Sequence, residues 1–394
     1  MTEPRRSERS ERALRFVVLM GFVAMMGDVT YEGARSVVGP YLGLLGASAA
    51  TIGFVAGLGE LVGYGLRLGT GWLADRTRAY WPLTIAGYAT NLVAVPGLAF
   101  VGRVDAALAL VLLERLGKAI RSPARSTLVS YATKEVGAGF SFGLEEALDQ
   151  LGAFLGPLLV AAAMALHAGD ALERYRAGFA ILAVPVLLNL ALLLTARARY
   201  PRPEELEPEE AEELASFGGG FRRFLLGAML VGVGFADWAL VAYHLGRTGM
   251  VGELLLPIVY SGAMASDAVA ALLVGRAFDR VGPRVLVGTT LISATFAPLV
   301  FLGGSLPLVL LGALAWSIGM GAQESTFKAT IATVVAKEHR GRAYGVFFAA
   351  FGVAWWLGSW AMGALYDRSL VGLVMLSVIA QVGAVPVFWG MKRT

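Results

Sequence analysis

Long apolar runs, separated by short charged or Gly/Pro-punctuated stretches, occupy almost the whole chain. Six fall at about residues 14–39, 49–73, 80–101, 106–130, 138–167 and 176–196, and six more at about 222–245, 252–276, 284–303, 305–334, 342–366 and 370–390. About 20 mostly apolar residues in helical form cross the hydrocarbon core of a bilayer, where the backbone must satisfy its own hydrogen bonds. The pattern therefore predicts twelve transmembrane helices.

Between the sixth and seventh runs lies RARYPRPEELEPEEAEELASFGGGF. Its prolines, acidic run and glycine triplet predict a solvated acidic linker at 197–220, joining an N-terminal six-helix bundle at 1–196 to a C-terminal one at 221–394. Lys and Arg concentrate on the loops that share a side with the N-terminus, so the positive-inside rule predicts both termini in the cytoplasm. The basic start MTEPRRSERSERALR precedes an apolar run that is too long, and interrupted by Asp28, for a cleaved signal peptide. It is expected to be a cytoplasmic tail.

Composition narrows the class. The chain is 57% hydrophobic and 16% charged, with a mean hydropathy of +0.66. Soluble domains carry roughly 25% charged residues, so a water-soluble globule is excluded. Fifty glycines suit close helix packing in lipid, where no hydrophobic force drives helices together. There is no cysteine, and the histidines are His167, His244 and His339 alone, which argues against thiolate metal sites and Cys nucleophiles. No metal, no cofactor and no enzymatic activity are expected. The pI near 9.3 comes from basic residues scattered over loops, so topology explains it and nucleic acid is not an expected partner. The expected partners are a small-molecule substrate, protons and membrane lipid, with the chain a monomer.

Two stretches recur. GWLADRTR, with Asp75, after the second run returns as GRAFDRVG, with Asp279, after the eighth; FGLEEALDQLGAFLGP at 142–157 corresponds to YGVFFAAFGVAWWLGS at 344–359. The offsets, 204 and 202 residues, are nearly equal, as expected of a duplication. Internal repeats are how many transporters place a binding site between two moving halves.

Gly71, Asp75, Arg76 and Arg78 resemble the signature loop between spans two and three of the major facilitator superfamily, with Thr77 in place of its usual glycine. The second copy carries Asp279, Arg280 and Gly282. Gly143, Gly152, Gly156 and Pro157 are similar in spacing to the fifth-span motif of that superfamily's antiporters, although Val160 and Ala161 stand where two further glycines are usual. ERLGKAIRSPARSTL in the fourth span is similar to a poorly characterised prokaryotic branch, from which Ala119 and Ser126 depart. The resemblance implies an all-α membrane protein with twelve transmembrane helices in two pseudo-symmetric six-helix bundles. It also implies that Asp75 sits near the start of span eleven and latches one conformational state.

Ionisable residues inside a membrane are costly and normally face a bundle interior or an aqueous cavity. Ten acidic candidates fall within the predicted spans: Asp28, Glu32, Glu60, Glu114, Glu145, Glu146, Asp149, Asp237, Asp267 and Glu324. The basic ones are Arg35, Arg67, Arg115, Lys118 and Lys328. At 3.6 residues per turn, Asp28, Glu32 and Arg35 share one face, as do Glu114, Lys118, Arg121 and Arg125 in the fourth span. Glu145, Asp149, Gly152 and Gly156 share a face of the fifth, so pairing with the basic stripe is expected. Asp237 follows Arg223 at nearly the spacing by which Asp28 follows Arg15, which suggests carboxylates at similar depth in the two halves. Glu60 with Arg67 and Glu324 with Lys328 are candidate local pairs. Trp355, Trp356 and Trp360 could stack a ligand or fill the core.

Each charged cluster has a purely structural alternative, in which ion pairs lock helices together. If the clusters work, the leading expectation is a proton-coupled antiporter exporting a small organic solute by alternating access, with Asp28, Glu145, Asp149 and Asp237 as the titrating groups. A proton-linked symporter importing a metabolite, its charge met by Arg35, Arg115, Lys118 or Arg121, is the alternative. An intramembrane enzyme or non-transporting sensor is a third reading, which no nucleophile or His-rich constellation supports.

Overall fold

The fold is described from a computed structural model, covering residues 6–136, 138–203, 219–334 and 340–391. It is built of α-helices, and no strand occurs among the described residues. The first half runs α1 (Arg6–Leu44), α2 (Ala49–Thr77), α3 (Tyr80–Gly97), α4 (Val104–Val136), α5 (Ala138–Leu166), α6 (Ala171–Ile181) and α7 (Ala183–Arg199). The second runs α8 (Gly219–Gly234), α9 (Trp238–Thr248), α10 (Leu256–Val281), α11 (Val285–Ala294), α12 (Phe296–Phe301), α13 (Leu306–Val334), α14 (Arg340–Tyr366) and α15 (Leu370–Trp389).

Three pairs are single passes with a break. Pro185 removes the backbone donor that would bond the Ile181 carbonyl, and α6 gives way to α7 at Leu182; Pro298 does the same to Ala294, and α11 gives way to α12 at Thr295. The third break, at 235–237 between α8 and α9, contains no proline. Twelve passes result. Among the described residues eleven are long and apolar enough to cross a membrane. The exception is α4, whose 33 residues suffice in length but include Glu114, Arg115, Lys118, Arg121 and Arg125.

Contacts divide the chain into two compact units, one of residues 1–34 and 66–211 and the other of 35–65 and 212–394. The chain thus changes unit within α1 and within α2. Most of the predicted acidic linker, 204–218, lies outside the described residues.

In the first unit, α3 packs along α4, α5 on α6, and α7 on α3. An aromatic and aliphatic core of Phe16, Trp81, Tyr88, Leu128, Val129 and Leu193 ties α1, α3, α4 and α7 together. Glycines set the closest crossings: a Cβ at Gly156 of α5 would strike the Val29 carbonyl of α1, and one at Gly87 of α3 would strike the Gly117 carbonyl of α4. Small residues allow this approach, which supplies packing where lipid competes equally for apolar side chains.

In the second unit α8 packs on α14 and α15, and α10 on α13. A Cβ at Gly358 of α14 would strike the Val233 carbonyl of α8, the counterpart of the Gly156 contact, as the duplicated stretches predict. Segments 35–44 and 49–65 belong to this unit: Gly39 abuts Ala239, Gly53 abuts Ser359, and Tyr64 stacks on Phe348 at 5.2 Å between ring centres.

Candidate functional site

The polar stripe predicted on α4 is buried or half-buried in the first unit, and its predicted partners on α5 meet it at Arg125. Arg125 forms ion pairs with Glu145 and, at 3.9 Å, with Asp149, both from α5. It also meets the Tyr88 hydroxyl of α3. Asp28, half-buried on α1, lies in the field of Asp149, Glu32, Lys118 and Arg125. Gly152 brings α5 so close to α1 that a Cβ there would lie 3.2 Å from the Asp28 Cβ. Gly152 and Gly156 of the fifth-span motif let α5 approach α1, and Asp149 then lies in the field of Asp28 while Glu145 reaches Arg125. The result is three carboxylates gathered about one guanidinium.

One turn along α4 the chemistry changes from carboxylates to tyrosines. Arg115 donates to the Tyr31 hydroxyl and lies 3.6 Å from Glu114. The Lys118 ammonium sits 3.6 Å from the centre of the Tyr31 ring, and the Arg121 guanidinium 4.4 Å from that of Tyr88. Cations over ring faces are held by the quadrupole of the ring. No spacing rule pointed to Tyr31 or Tyr88; a tyrosine three residues after Asp28 was the available signal.

Arg35 of α1 belongs to the second unit, where its Nη2 donates to Asp237 Oδ2 at 3.1 Å; Arg35 is 6% and Asp237 2% exposed. Asp237 is not a mid-helix carboxylate. It stands in the break between α8 and α9 as the N-cap of α9, its Oδ1 accepting from the Ala239 amide at 2.9 Å. The break leaves carbonyls that side chains satisfy: Trp316 Nε1 donates to Ala236 O at 2.8 Å, while Ser377 Oγ and Gln381 Nε2 donate to Gly234 O at 2.6 and 3.0 Å. Interrupted helices with exposed backbone termini are a recurrent way for transporters to build polar sites within the membrane.

An aromatic box encloses the break. Phe235, Trp238, Trp316 and Trp355 pack with ring centres 5.2 to 5.6 Å apart, and Trp238 lies 4.7 Å from Tyr260. Trp355 is thus core; Trp356 and Trp360 meet Phe54 edge-on. His244 of α9 is buried, with its Nδ1 2.9 Å from the Tyr366 hydroxyl.

Other candidates lie elsewhere. Asp75 and Arg76 are exposed: the Tyr80 hydroxyl donates to Asp75 at 3.2 Å, and Arg76 lies over Trp72. A Cβ at Gly71 would lie 3.5 Å from the Pro123 ring. Glu324 and Arg280 are exposed, and Asp267 is buried between α10 and Gly321 of α13. Gly143, Glu146, Asp279 and Lys328 fall outside the described side chains. Among the described residues no group of His, Cys, Asp and Glu could hold a metal ion.

Comparison with known proteins follows the same lines. An uncharacterised protein of Mycobacterium tuberculosis (strain ATCC 25618 / H37Rv) is 38% identical over 387 residues, 96% of this chain and 93% of that one. The crystal structure of the nucleoside transporter NupG superposes with a TM-score of 0.73, covering 95% of this chain and 98% of NupG at 13% identity. That of a D-xylose-proton symporter superposes with a TM-score of 0.70 over 97% and 98%, at 15% identity. The sequence profile of the Major Facilitator Superfamily matches residues 17–252. With twelve helical passes and charged groups buried among them, the chain belongs to the Major Facilitator Superfamily and is a multi-pass membrane transporter of a solute.

Proposed function

We propose that the protein is a secondary active transporter of the cytoplasmic membrane that exports a small organic solute in exchange for protons. Both termini lie in the cytoplasm, and the six-helix halves at 1–196 and 221–394 alternate access around a central path. The observation that carries this reading is the gathering of Asp28, Glu145 and Asp149 about Arg125. Protonating one of these carboxylates removes a negative charge and with it the carboxylate's demand for Arg125, so the guanidinium redistributes among the remaining partners. Because Asp28 is on α1 and the other two on α5, that redistribution changes the attraction between helices as well as the charge. A solute that enters as the proton leaves can exploit the difference. The fifth-span glycines support exchange over symport, since they build the α1–α5 contact on which these carboxylates lie.

Inside-out vesicles with a pre-formed acidic interior test the proposal. A panel of drugs and metabolites should contain a compound that collapses the pH gradient with wild-type protein, while Asp149→Asn and Asp28→Asn reduce the response at least about tenfold, the scale of one lost charge-assisted contact. Proton uptake on adding a solute to right-side-out vesicles, with no response in inverted ones, would instead establish symport. Undiminished exchange in both variants would remove the carboxylate set from the mechanism.

A further inference from the structure

The cations along the middle of α4 differ in what answers their charge. Arg125 has Glu145 and Asp149, Arg115 has the Tyr31 hydroxyl and Glu114, and Lys118 lies in the field of Asp28. In the second unit Arg35 has Asp237. Arg121 has no such answer among the described residues. It is 4% exposed, its guanidinium rests on the Tyr88 ring, and its Nη1 finds no hydrogen-bond partner among the described residues. No carboxylate among them lies within ion-pair distance of it.

A second unsatisfied group lies on the same seam. Asn91 of α3 is 2% exposed, and neither its Oδ1 nor its Nδ2 is hydrogen bonded among the described residues. Its side chain lies over Gly117, one turn of α4 before Arg121, and Gly87 and Gly117 bring the two backbones together there. Buried polar atoms are normally paired, and a buried cation without an anion is among the least favourable arrangements in a membrane. Arg121 is also residue 18 of the 33 in α4, midway along a spanning helix, the depth at which transporters of this architecture hold their solutes.

We propose that Arg121 is the recognition point for an oxyanion group, a carboxylate or phosphate, carried by the transported solute, with Asn91 and Tyr88 as its polar and aromatic neighbours. The guanidinium fork matches two oxygens of such a group and Asn91 supplies a further donor, so the bound anion pairs the polar atoms that are otherwise unsatisfied among the described residues. This inference rests on the reading of the first unit's charged cluster as part of the solute path. It narrows the cargo to anionic or zwitterionic molecules.

Thermal unfolding of the purified full-length protein in detergent, at fixed pH and ionic strength, tests it without requiring transport. The probes are acetate, benzoate, succinate and inorganic phosphate, with acetamide and benzamide as uncharged counterparts. At least one anion should raise the wild-type midpoint in a saturable way, the amides should not, and Arg121→Gln should weaken the apparent affinity at least tenfold. Arg121→Lys should keep part of the response. Asn91→Leu, which removes no hydrogen bond among the described residues, should fold normally yet bind the anion more weakly, and it serves if Arg121→Gln does not fold. No shift with any anion, or a shift that survives in Arg121→Gln, would overturn the proposal and leave Arg121 as a tether between α3 and α4. An anion response without proton exchange in vesicles would sink the exchange reading alone. Exchange of an uncharged or cationic solute that is indifferent to Arg121 would sink the anion site alone.

Discussion

At the residue scale, burial decides what a charge is worth. Arg103 and Asp105 form a 2.7 Å pair, but both are exposed, and such pairs contribute little. The Arg35–Asp237 pair is buried, so removing one partner strands the other in a medium that cannot solvate it. Arg35→Met is therefore expected to destabilise the protein by about 3–5 kcal/mol. Adding Asp237→Asn should recover most of that loss, because asparagine removes the stranded charge while still capping α9. Thermal unfolding of the single and double variants checks this; a double variant no more stable than Arg35→Met would show that the ion pair is not what the single substitution breaks.

At the scale of elements, glycines divide into those that set a crossing and those that face open space. Gly156 abuts the Val29 carbonyl across the α1–α5 contact, whereas nothing lies within 4 Å of a Cβ at Gly383 of α15. Gly156→Val should cost about 1–3 kcal/mol through overpacking and shift α5 away from α1. Gly383→Ala should be neutral or stabilise by up to about 1 kcal/mol, since alanine is the better helix former and its methyl meets no neighbour. Unfolding midpoints of the two variants separate these outcomes, and equal effects would contradict the contact geometry. The same displacement would separate Asp149 from Asp28, so Gly156→Val should also impair proton exchange in vesicles.

At the scale of the whole molecule, the proposed exchange makes Asp28 and Asp149, which lie in one another's field beside Arg125, act as a unit. Substitutions within such a set are not additive. The double variant Asp28→Asn with Asp149→Asn should lose no more proton exchange than the worse of the two single variants, as read from gradient collapse in inverted vesicles. Multiplicative losses would mean that the two groups work at separate steps.

The stripes on α4 and α5 and their mutual pairing were legible because helical periodicity assigns faces, and acidic and basic faces in one membrane domain must find each other. Helical geometry places Arg35 on a face with Asp28 and Glu32, but it does not tell that the chain changes unit at 34/35 or that Arg35 pairs with an acid 202 residues away. A helix can belong to two packed units at once, and periodicity carries no information about that. Asp237 was recognised as a buried carboxylate but not as a helix cap, because the break at 235–237 has no proline to announce it and depends on Trp316, Ser377 and Gln381, far away in sequence, to satisfy its carbonyls.

The sequence by itself determined that the chain crosses a membrane about twelve times, that its halves are related, that α4 is polar where a span should be apolar, and that these features resemble one transporter superfamily. Hydropathy, periodicity and repeat are properties of the chain read along its length, and the physical demands of lipid translate them directly into helices and faces. Only the tertiary structure decided which charges are answered: that Arg125 holds two carboxylates, that Arg35 pairs with Asp237, and that Arg121 and Asn91 have polar atoms with no partner among the described residues. Pairing depends on distances across helix crossings, which glycines and side-chain volumes set together, and no single stretch of sequence contains them.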